Sequence, residues 1–324
     1  MKIAVIDDYQ DVFRKLDCYA RLAAHEVEVF HDAVRDPGQL ATRLRHADAV
    51  VLTQQRTAFP RAVVERLPGL KLIAQTGRNT YHLDVTACTE RGIVIAAAGI
   101  SAPTATTELT WGLILASLRH IPHEVGRLRE GRWQTTVGTG LNGKVLGVYG
   151  FGRIGERVAR IGQAFGMQVV CWGRESTRTK ARAAGCAVSA DRESFFEHAD
   201  VISLHLALNK ETRGIVTAAD LARMKPTALI VNTARAPLIA EGALAAALAL
   251  GRPGLAAVDV YESEPVEDGN HPLLKLPNAI CTPHLGYVER DTYESLYGLA
   301  IDGILGFAAG KPVNVLNPEA LARK

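Results

Sequence analysis

Residues 144–172 read KVLGVYGFGRIGERVARIGQAFGMQVVCW, and the order of apolar and glycine positions in that stretch decides the fold. KVLGVY is apolar on both faces, as a strand of a parallel sheet covered by helices on each side must be. Gly150-Phe151-Gly152-Arg153-Ile154-Gly155 then spaces three glycines as GxGxxG. A chain with 29 glycines produces such spacings by chance, so the context carries the reading. The motif follows a strand and opens a helix on which Ile154, Val158, Ile161 and Phe165 form one apolar stripe. Strand, glycine turn and helix in that order place backbone N–H groups and a helix N-terminus against a pyrophosphate. Gly150, Gly152, Ile154 and Gly155 are therefore candidate dinucleotide contacts, while Arg153 either reaches the phosphates or points to solvent.

Working outward, short β-branched runs alternate with helical stretches over the whole chain. Expected strands are Lys2–Ile6, Glu26–Phe30, Ala49–Leu52, Lys71–Ala74 and Ile93–Ala96, then Lys144–Tyr149, Gln168–Trp172, Val201–Leu204, Ala228–Val231, Leu255–Val258 and Ala279–Cys281. This alternation predicts an α/β fold of two Rossmann-like doubly wound parallel-sheet domains. A helical stretch over Thr104–Glu130 separates the two series, with Leu109, Leu113, Ala116 and Leu118 broadly on one side, and Pro122 should break it into two pieces. A last helix, about Glu289–Ala309, returns after the second series. The dinucleotide-binding domain, 100–287, is thus expected as an insertion into a domain built from 1–99 and 288–324.

A length of 324 residues suits two domains of ordinary size. Hydrophobic residues at 48% and charged residues at 22% are the balance of a globular chain. The formal charge of +3, from 37 basic and 34 acidic residues, offers no footprint for nucleic acid or an anionic membrane. The N-terminal MKIAVIDD is too short an apolar run for a signal peptide, and Ala243–Leu250 is too short to span a bilayer. Cys18, Cys88, Cys171, Cys186 and Cys281 stand far apart, without CxxC pairing or metal-ligand spacing. The expectation is a cytoplasmic protein with no metal site and reduced, core-packed cysteines.

Several further segments occur in a recognisable order: HLALNKETRGIV, MKPTALIVNTARAPLI, AAVDVYESEP and TPHLGY follow the glycine turn. With it, they resemble the D-isomer-specific 2-hydroxyacid dehydrogenases over nearly the whole chain, a family that includes phosphoglycerate dehydrogenase and glyoxylate and hydroxypyruvate reductases. The resemblance implies hydride transfer between a nicotinamide cofactor, NAD(P), and a small 2-keto acid or D-2-hydroxy acid. It makes Arg235 the substrate-binding cation, His284 the general acid/base, and Glu264 the carboxylate that holds the histidine. The chemistry agrees: a guanidinium fork suits a carboxylate, and imidazole suits proton transfer near neutral pH. Glu262 competes with Glu264, and only the family's Glu-Pro pairing selects the latter.

The resemblance also places Leu206, Ala207, Thr212, Thr233, Ala234 and Gly286 beside the dinucleotide, and Asp259 at the nicotinamide carboxamide. In the first domain it makes Thr76, Gly77, Arg78 and Asn79 the loop whose backbone N–H groups hold the substrate carboxylate, so that this domain acts as a substrate-binding lid. Arg78 either holds a second anionic group or lies on the surface, and Asp84 is expected to cap a helix. Ala236 and Ala240 stand where the family has glycine and aspartate, and alanine at 236 is strained only if φ there is positive. A homodimer through the helix from Pro103 to Leu118 and the segment Gly131-Arg132-Trp133-Gln134 is implied as well.

Trp172-Gly173-Arg174 departs from the NAD-using pattern, in which an acid closing the second strand binds the ribose 2′-hydroxyl. Gly173 removes that acid and Arg174 offers a fork to a 2′-phosphate, with Arg178 one turn on and Glu175 opposing. NADP(H) is therefore expected to serve at least as well as NAD(H), unless Arg174 stacks on adenine or faces solvent. Formate oxidation is disfavoured because the formate-oxidising relatives carry glutamine in place of Glu264. The alternative from another class is a dinucleotide-sensing binding protein or corepressor of the same family, which turnover of 2-keto acids would exclude.

Overall fold

The computed structural model describes residues 1–99 and 103–323. The chain divides into two compact units, Met1–Ser101 with Glu289–Lys324 and Ala102–Val288. The first begins with β1 (Lys2–Val5), β2 (Glu26–Val29), α1 (Pro37–Leu44), β3 (Ala49–Leu52), α2 (Arg61–Val64), β4 (Leu72–Thr76), α3 (Val85–Glu90) and β5 (Val94–Ala98). All five strands are parallel, in the order β2-β1-β3-β4-β5. The inner strands AVVL and LIAQT are buried at every position, the pattern of a sheet covered on both faces. Asp84 caps α3 as expected, its Oδ1 accepting from the Ala87 N–H at 2.8 Å.

The second unit opens with α4 (Pro103–Leu118) and α5 (Ile121–Arg129). The break expected from Pro122 falls at His120, which turns left-handed at φ 52°. A proline in the second position of α5 cannot donate to Leu118, and that carbonyl instead accepts from the Thr139 N–H at 2.8 Å. Then follow β6 (Val145–Tyr149), α6 (Arg153–Ala164), β7 (Gln168–Trp172), α7 (Glu175–Ala183), β8 (Ala187–Val188), α8 (Arg192–His198), β9 (Val201–Leu204), α9 (Ala218–Arg223), β10 (Leu229–Asn232), α10 (Ala243–Ala249), β11 (Leu255–Val258) and β12 (Ala279–Cys281). They form a parallel sheet in the order β12-β11-β10-β9-β6-β7-β8. β8 was not expected, because two residues are too few to show a period. Fully buried Ile202, Leu204 and Ile230 lie in its core, each contributing roughly 1.5–3 kcal/mol of apolar burial.

From β6 the chain winds outward to β7 and β8, then crosses to β9 on the other side of β6. The carboxyl ends of β6 and β9 therefore flank the point where the strand order reverses, the place where open α/β sheets bind ligands. Gly147 within β6 permits close helix packing, since a Cβ there would lie 3.0 Å from the Phe195 ring. After the second unit the chain returns as α11 (Arg290–Ala308), capped by Glu289, whose carboxylate accepts from Asp291 and Thr292 N–H groups at 2.7 Å each. It packs on β4 and β5, and Leu316 N–H and Asn314 C=O then bond the β5 edge. Among the described residues, no helix is long and apolar enough to cross a membrane.

Candidate active site

The turn between β6 and α6 shows why three glycines are needed. Gly150 has φ 95°, and a Cβ there would lie 2.6 Å from the His205 carbonyl. A Cβ at Gly155 would collide with the Gly150 carbonyl, so the first and third glycines close the turn on itself. A Cβ at Gly152 would meet nothing within 4 Å among the described residues, and the N-terminus of α6 has no side-chain cap. The first-turn N–H groups are thus left open to a ligand, and this cradle fits a dinucleotide pyrophosphate. Arg153 is exposed at its mouth. Of the expected stripe on α6, Val158 is buried and Ile154 and Ile161 pack partly buried against the same core; Gly155, Ala159 and Gly162 also face inward, whereas Phe165 is 40% exposed and lies against Trp111 at 4.9 Å. Gly162 draws this face in, because the Leu146 side chain occupies the space of its missing Cβ.

The other cofactor candidates in this unit sit just beyond strand ends. Gly173 follows β7 with φ 153°, and Arg174 occupies the N-cap of α7, exposed and with no side-chain partner among the described residues. Leu206 and Ala207 follow β9, and the Thr212 hydroxyl donates to the Ala207 carbonyl at 2.6 Å, tying that loop. Thr233 follows β10, its hydroxyl 2.8 Å from that of Thr110 on α4. Asp259, fully buried after β11, accepts from the Thr282 hydroxyl at 2.6 Å and from Leu285 and Gly286 N–H groups at 2.7 and 2.9 Å. Burial pushes its carboxyl up, against the pull of Thr282 and Leu285. It thereby holds the loop on either side of His284, a role the sequence did not reveal.

His284 and Glu264 meet: Nδ1 lies 2.6 Å from Oε2. The other oxygen, Oε1, accepts from the Tyr261 N–H at 2.8 Å, which aims the carboxylate. Burial alone would raise the Glu264 carboxyl, but the hydrogen bond and charge of His284 hold it below the usual range. Glu262, the competitor, turns instead to His271, 3.0 Å away, so the geometry separates the two glutamates. His284 has φ 53°, an uncommon backbone for a residue with a side chain, and its ring packs edge-on to Tyr287 at 5.4 Å. Tyr287 closes the TPHLGY segment, and only the fold shows its ring against the imidazole.

Arg235 follows β10 in extended conformation and donates Nη1 to the Ala234 carbonyl at 2.7 Å. It has no carboxylate partner among the described residues, so its remaining donors are open to an anion. Ala236 is absent from the left-handed positions, so alanine there carries no strain, and Ala240 closes a bridge to Val216 through its N–H. Burial pushes His205, at the end of β9, down to about 4, which keeps it neutral.

In the first unit, the Thr76 hydroxyl accepts from Gln54 N–H and donates to Leu52, and the Gly77 N–H bonds Ala98. Those groups are committed to the sheet. The N–H groups of Arg78 and Asn79 have no acceptor among the described residues.

Residues 111–286 match the NAD-binding domain of the D-isomer specific 2-hydroxyacid dehydrogenases. The chain belongs to that family. It is 34% identical over 308 residues to a glyoxylate reductase of Aeropyrum pernix, covering 92% of this chain and 91% of that one. It is 37% identical over 321 residues to a D-3-phosphoglycerate dehydrogenase of Methanocaldococcus jannaschii, covering 98% of this chain but only 59% of that longer one. A solved oxidoreductase structure from Ralstonia solanacearum is 48% identical, with a TM-score of 0.95 over 99% of this chain and 98% of that one. As a member of this family the chain carries a nicotinamide-binding domain, and its two parallel-sheet units have the family fold.

Proposed function

We propose that this chain interconverts a small 2-keto acid and its D-2-hydroxy acid with NAD(P)(H). The observation that carries this reading is the 2.6 Å His284–Glu264 pair in the same unit as an Arg235 with no carboxylate partner among the described residues and an open glycine cradle. When bound, the dinucleotide supplies or receives the hydride. Arg235 holds the substrate carboxylate and polarises the carbonyl oxygen. As negative charge grows on that oxygen, His284 delivers a proton from Nε2, its Nδ1 being held by Glu264; in oxidation the same atom takes the proton back. Asp259 keeps the His284 loop in place and offers the carboxamide a remaining acceptor. Arg174, whose side chain has no partner among the described residues at the end of β7, favours NADP(H) at least as well as NAD(H).

Steady-state kcat/KM over glyoxylate, hydroxypyruvate, pyruvate and bulkier 2-keto acids, with each cofactor, tests this. His284→Ala and Arg235→Ala should each lower kcat/KM by about 10²–10⁴-fold in retained folds. Near-wild-type turnover in the His284 variant would exclude the mechanism, and no turnover of any keto acid by the intact chain would favour a sensing role.

The same reading includes a homodimer. No residue of α5 is buried, and Val125 and Leu128 on it are 44% and 57% exposed. Trp133 and Val137 in the following segment are 75% and 94% exposed. A nine-residue helix is marginal in water without packing, so a second copy is the cover this surface fits. Light scattering should return twice the mass of the chain at micromolar concentration; the mass of one chain would overturn it.

A further inference from the structure

The end of β7 carries one acidic side chain that could oppose a 2′-phosphate, Glu175, directly after Arg174. The Glu175 carboxylate is drawn in the other direction. Arg178 Nη2 meets its Oε2 at 2.7 Å, and Arg182 Nη1 meets its Oε1 at 3.3 Å. Arg178 is itself seated: its guanidinium carbon lies 5.2 Å from the centre of the Trp172 ring, and its side chain is only 28% exposed. A cation over an indole face is held by the ring quadrupole and loses mobility. Arg178 is therefore a fixed anchor, and the more exposed Glu175 is the partner that comes to it.

The strand end cannot easily take an acid of its own. At Gly173, φ is 153°, and a Cβ would lie 2.8 Å from Thr177 Cγ2 and 3.0 Å from Thr177 Cβ. An aspartate in that position would need both a strained backbone and a displaced first turn of α7. Discrimination between the two nicotinamide dinucleotides then turns on whether Glu175 is free to pair with Arg174, its neighbour in sequence.

We propose that Arg178 is a specificity-determining positioning residue, which holds Glu175 along α7 and so leaves Arg174 to a 2′-phosphorylated adenosine ligand. The inference rests on the reading that Arg174 meets the 2′-phosphate. Without Arg178, Glu175 swings to Arg174, cancels its charge and repels the phosphate. Arg178 need not touch the ligand for this.

Calorimetric titration of the full chain with 2′,5′-ADP and with 5′-AMP tests it, because the ratio of the two dissociation constants cancels any loss common to both. Wild type should prefer 2′,5′-ADP, and Arg174→Ala should abolish the preference. Arg178→Met should lower the ratio about fivefold, the scale of one partly exposed ion pair. Adding Glu175→Gln to Arg178→Met should restore the wild-type ratio within about twofold. Glu175→Gln alone, which leaves the anchor in place, should change the ratio by less than about twofold. A preference that Arg178→Met leaves unchanged, or a loss that Glu175→Gln does not rescue, overturns the inference while leaving the Arg174 reading standing. A fivefold gain from Glu175→Gln alone also overturns it, since the carboxylate would then not be restrained. A wild type with no preference for 2′,5′-ADP overturns the Arg174 reading itself, and the inference with it.

Discussion

The turns after β1 and β6 occupy the same place in their sheets. Each leaves a strand flanked on one side by the next strand in sequence and on the other by the strand reached after crossing over. After β6 the chain runs through Gly150–Gly155, and the amides at the start of α6 have no side-chain cap. After β1 it runs through Ile6-Asp7-Asp8-Tyr9, and the buried Asp8 carboxyl accepts from the Val12 and Phe13 N–H groups at 3.0 and 2.9 Å. The first unit therefore fills its amide cluster with a carboxyl of its own, whereas the second leaves its cluster open. Parallel α/β architecture supplies the donors in both cases, and the residues of one short turn decide whether a ligand or a side chain takes them.

The largest effects are expected from exchanging the two solutions. Gly155→Ala should weaken dinucleotide binding by about 100-fold or more, since the added methyl collides with the Gly150 carbonyl and deforms the cradle. Asp8→Ala should leave that binding unchanged and instead destabilise the first unit by about 2–4 kcal/mol, because one buried and one half-buried N–H group lose their acceptor. Calorimetric titration and urea unfolding of both variants would settle the contrast. A loss of dinucleotide affinity in Asp8→Ala would break it.

Two histidines extend the comparison. In the first unit, His82 Nε2 faces an amide oxygen, Gln75 Oε1, at 3.2 Å, and burial pushes the ring down to about 4. In the second, His284 faces the carboxylate of Glu264, which is held below the usual range and so stays ionised near neutral pH. Glu264→Gln gives His284 the kind of partner His82 has. Its kcat/KM for reduction should fall about tenfold, because a neutral amide replaces the carboxylate that holds Nδ1 and faces the ring. Near-wild-type turnover in this variant would mean that the carboxylate charge beside the ring does not matter to the reaction.

The smallest effect concerns Asp7, beside Asp8. Burial pushes its carboxyl up to about 6, despite the Thr57 hydroxyl and the Arg56 charge. A folded-state value above the unfolded one means that stability is fully present below about pH 4 and is lost as pH rises through 6. Asp7→Asn removes that loss and tolerates the left-handed backbone at φ 64°. The variant should gain on the order of 1 kcal/mol relative to wild type at pH 8 but nothing at pH 4. Equal changes in thermal midpoint at both pH values would show that Asp7 does not titrate in this range.

Long, regular features were legible in the sequence. The strand runs stand within one or two residues of the observed β1–β7 and β9–β12, because a two-sided apolar run has few alternatives in a parallel sheet. Pro122 marked the division of α4 from α5 through a missing donor and a steric clash, both local effects. What could not be read depends on contacts between distant segments. On α6 the small residues Gly155, Ala159 and Gly162 share the inward face with the expected Val158, because Gly162 meets Leu146 on a neighbouring strand. β8 escaped notice because pairing to β7, not its two residues, makes it a strand.

By itself the sequence determined the alternation of strands and helices, the glycine spacing after β6 and the order of the family's motifs. Each is a property of neighbouring residues, carried by periodicity, backbone permissiveness or short-range pattern. The family resemblance selected Glu264 over Glu262 only through its Glu-Pro pairing, and the tertiary structure supplied the contact to His284; it alone decided that Asp8 occupies the amides after β1 and that Arg178 draws Glu175 onto its own helix. Glu262 and Glu264 have the same chemistry and lie two positions apart, so composition cannot rank them. The carboxylate that reaches the imidazole is the one whose backbone, fixed by the ends of β11 and β12, aims it at a histidine twenty positions on.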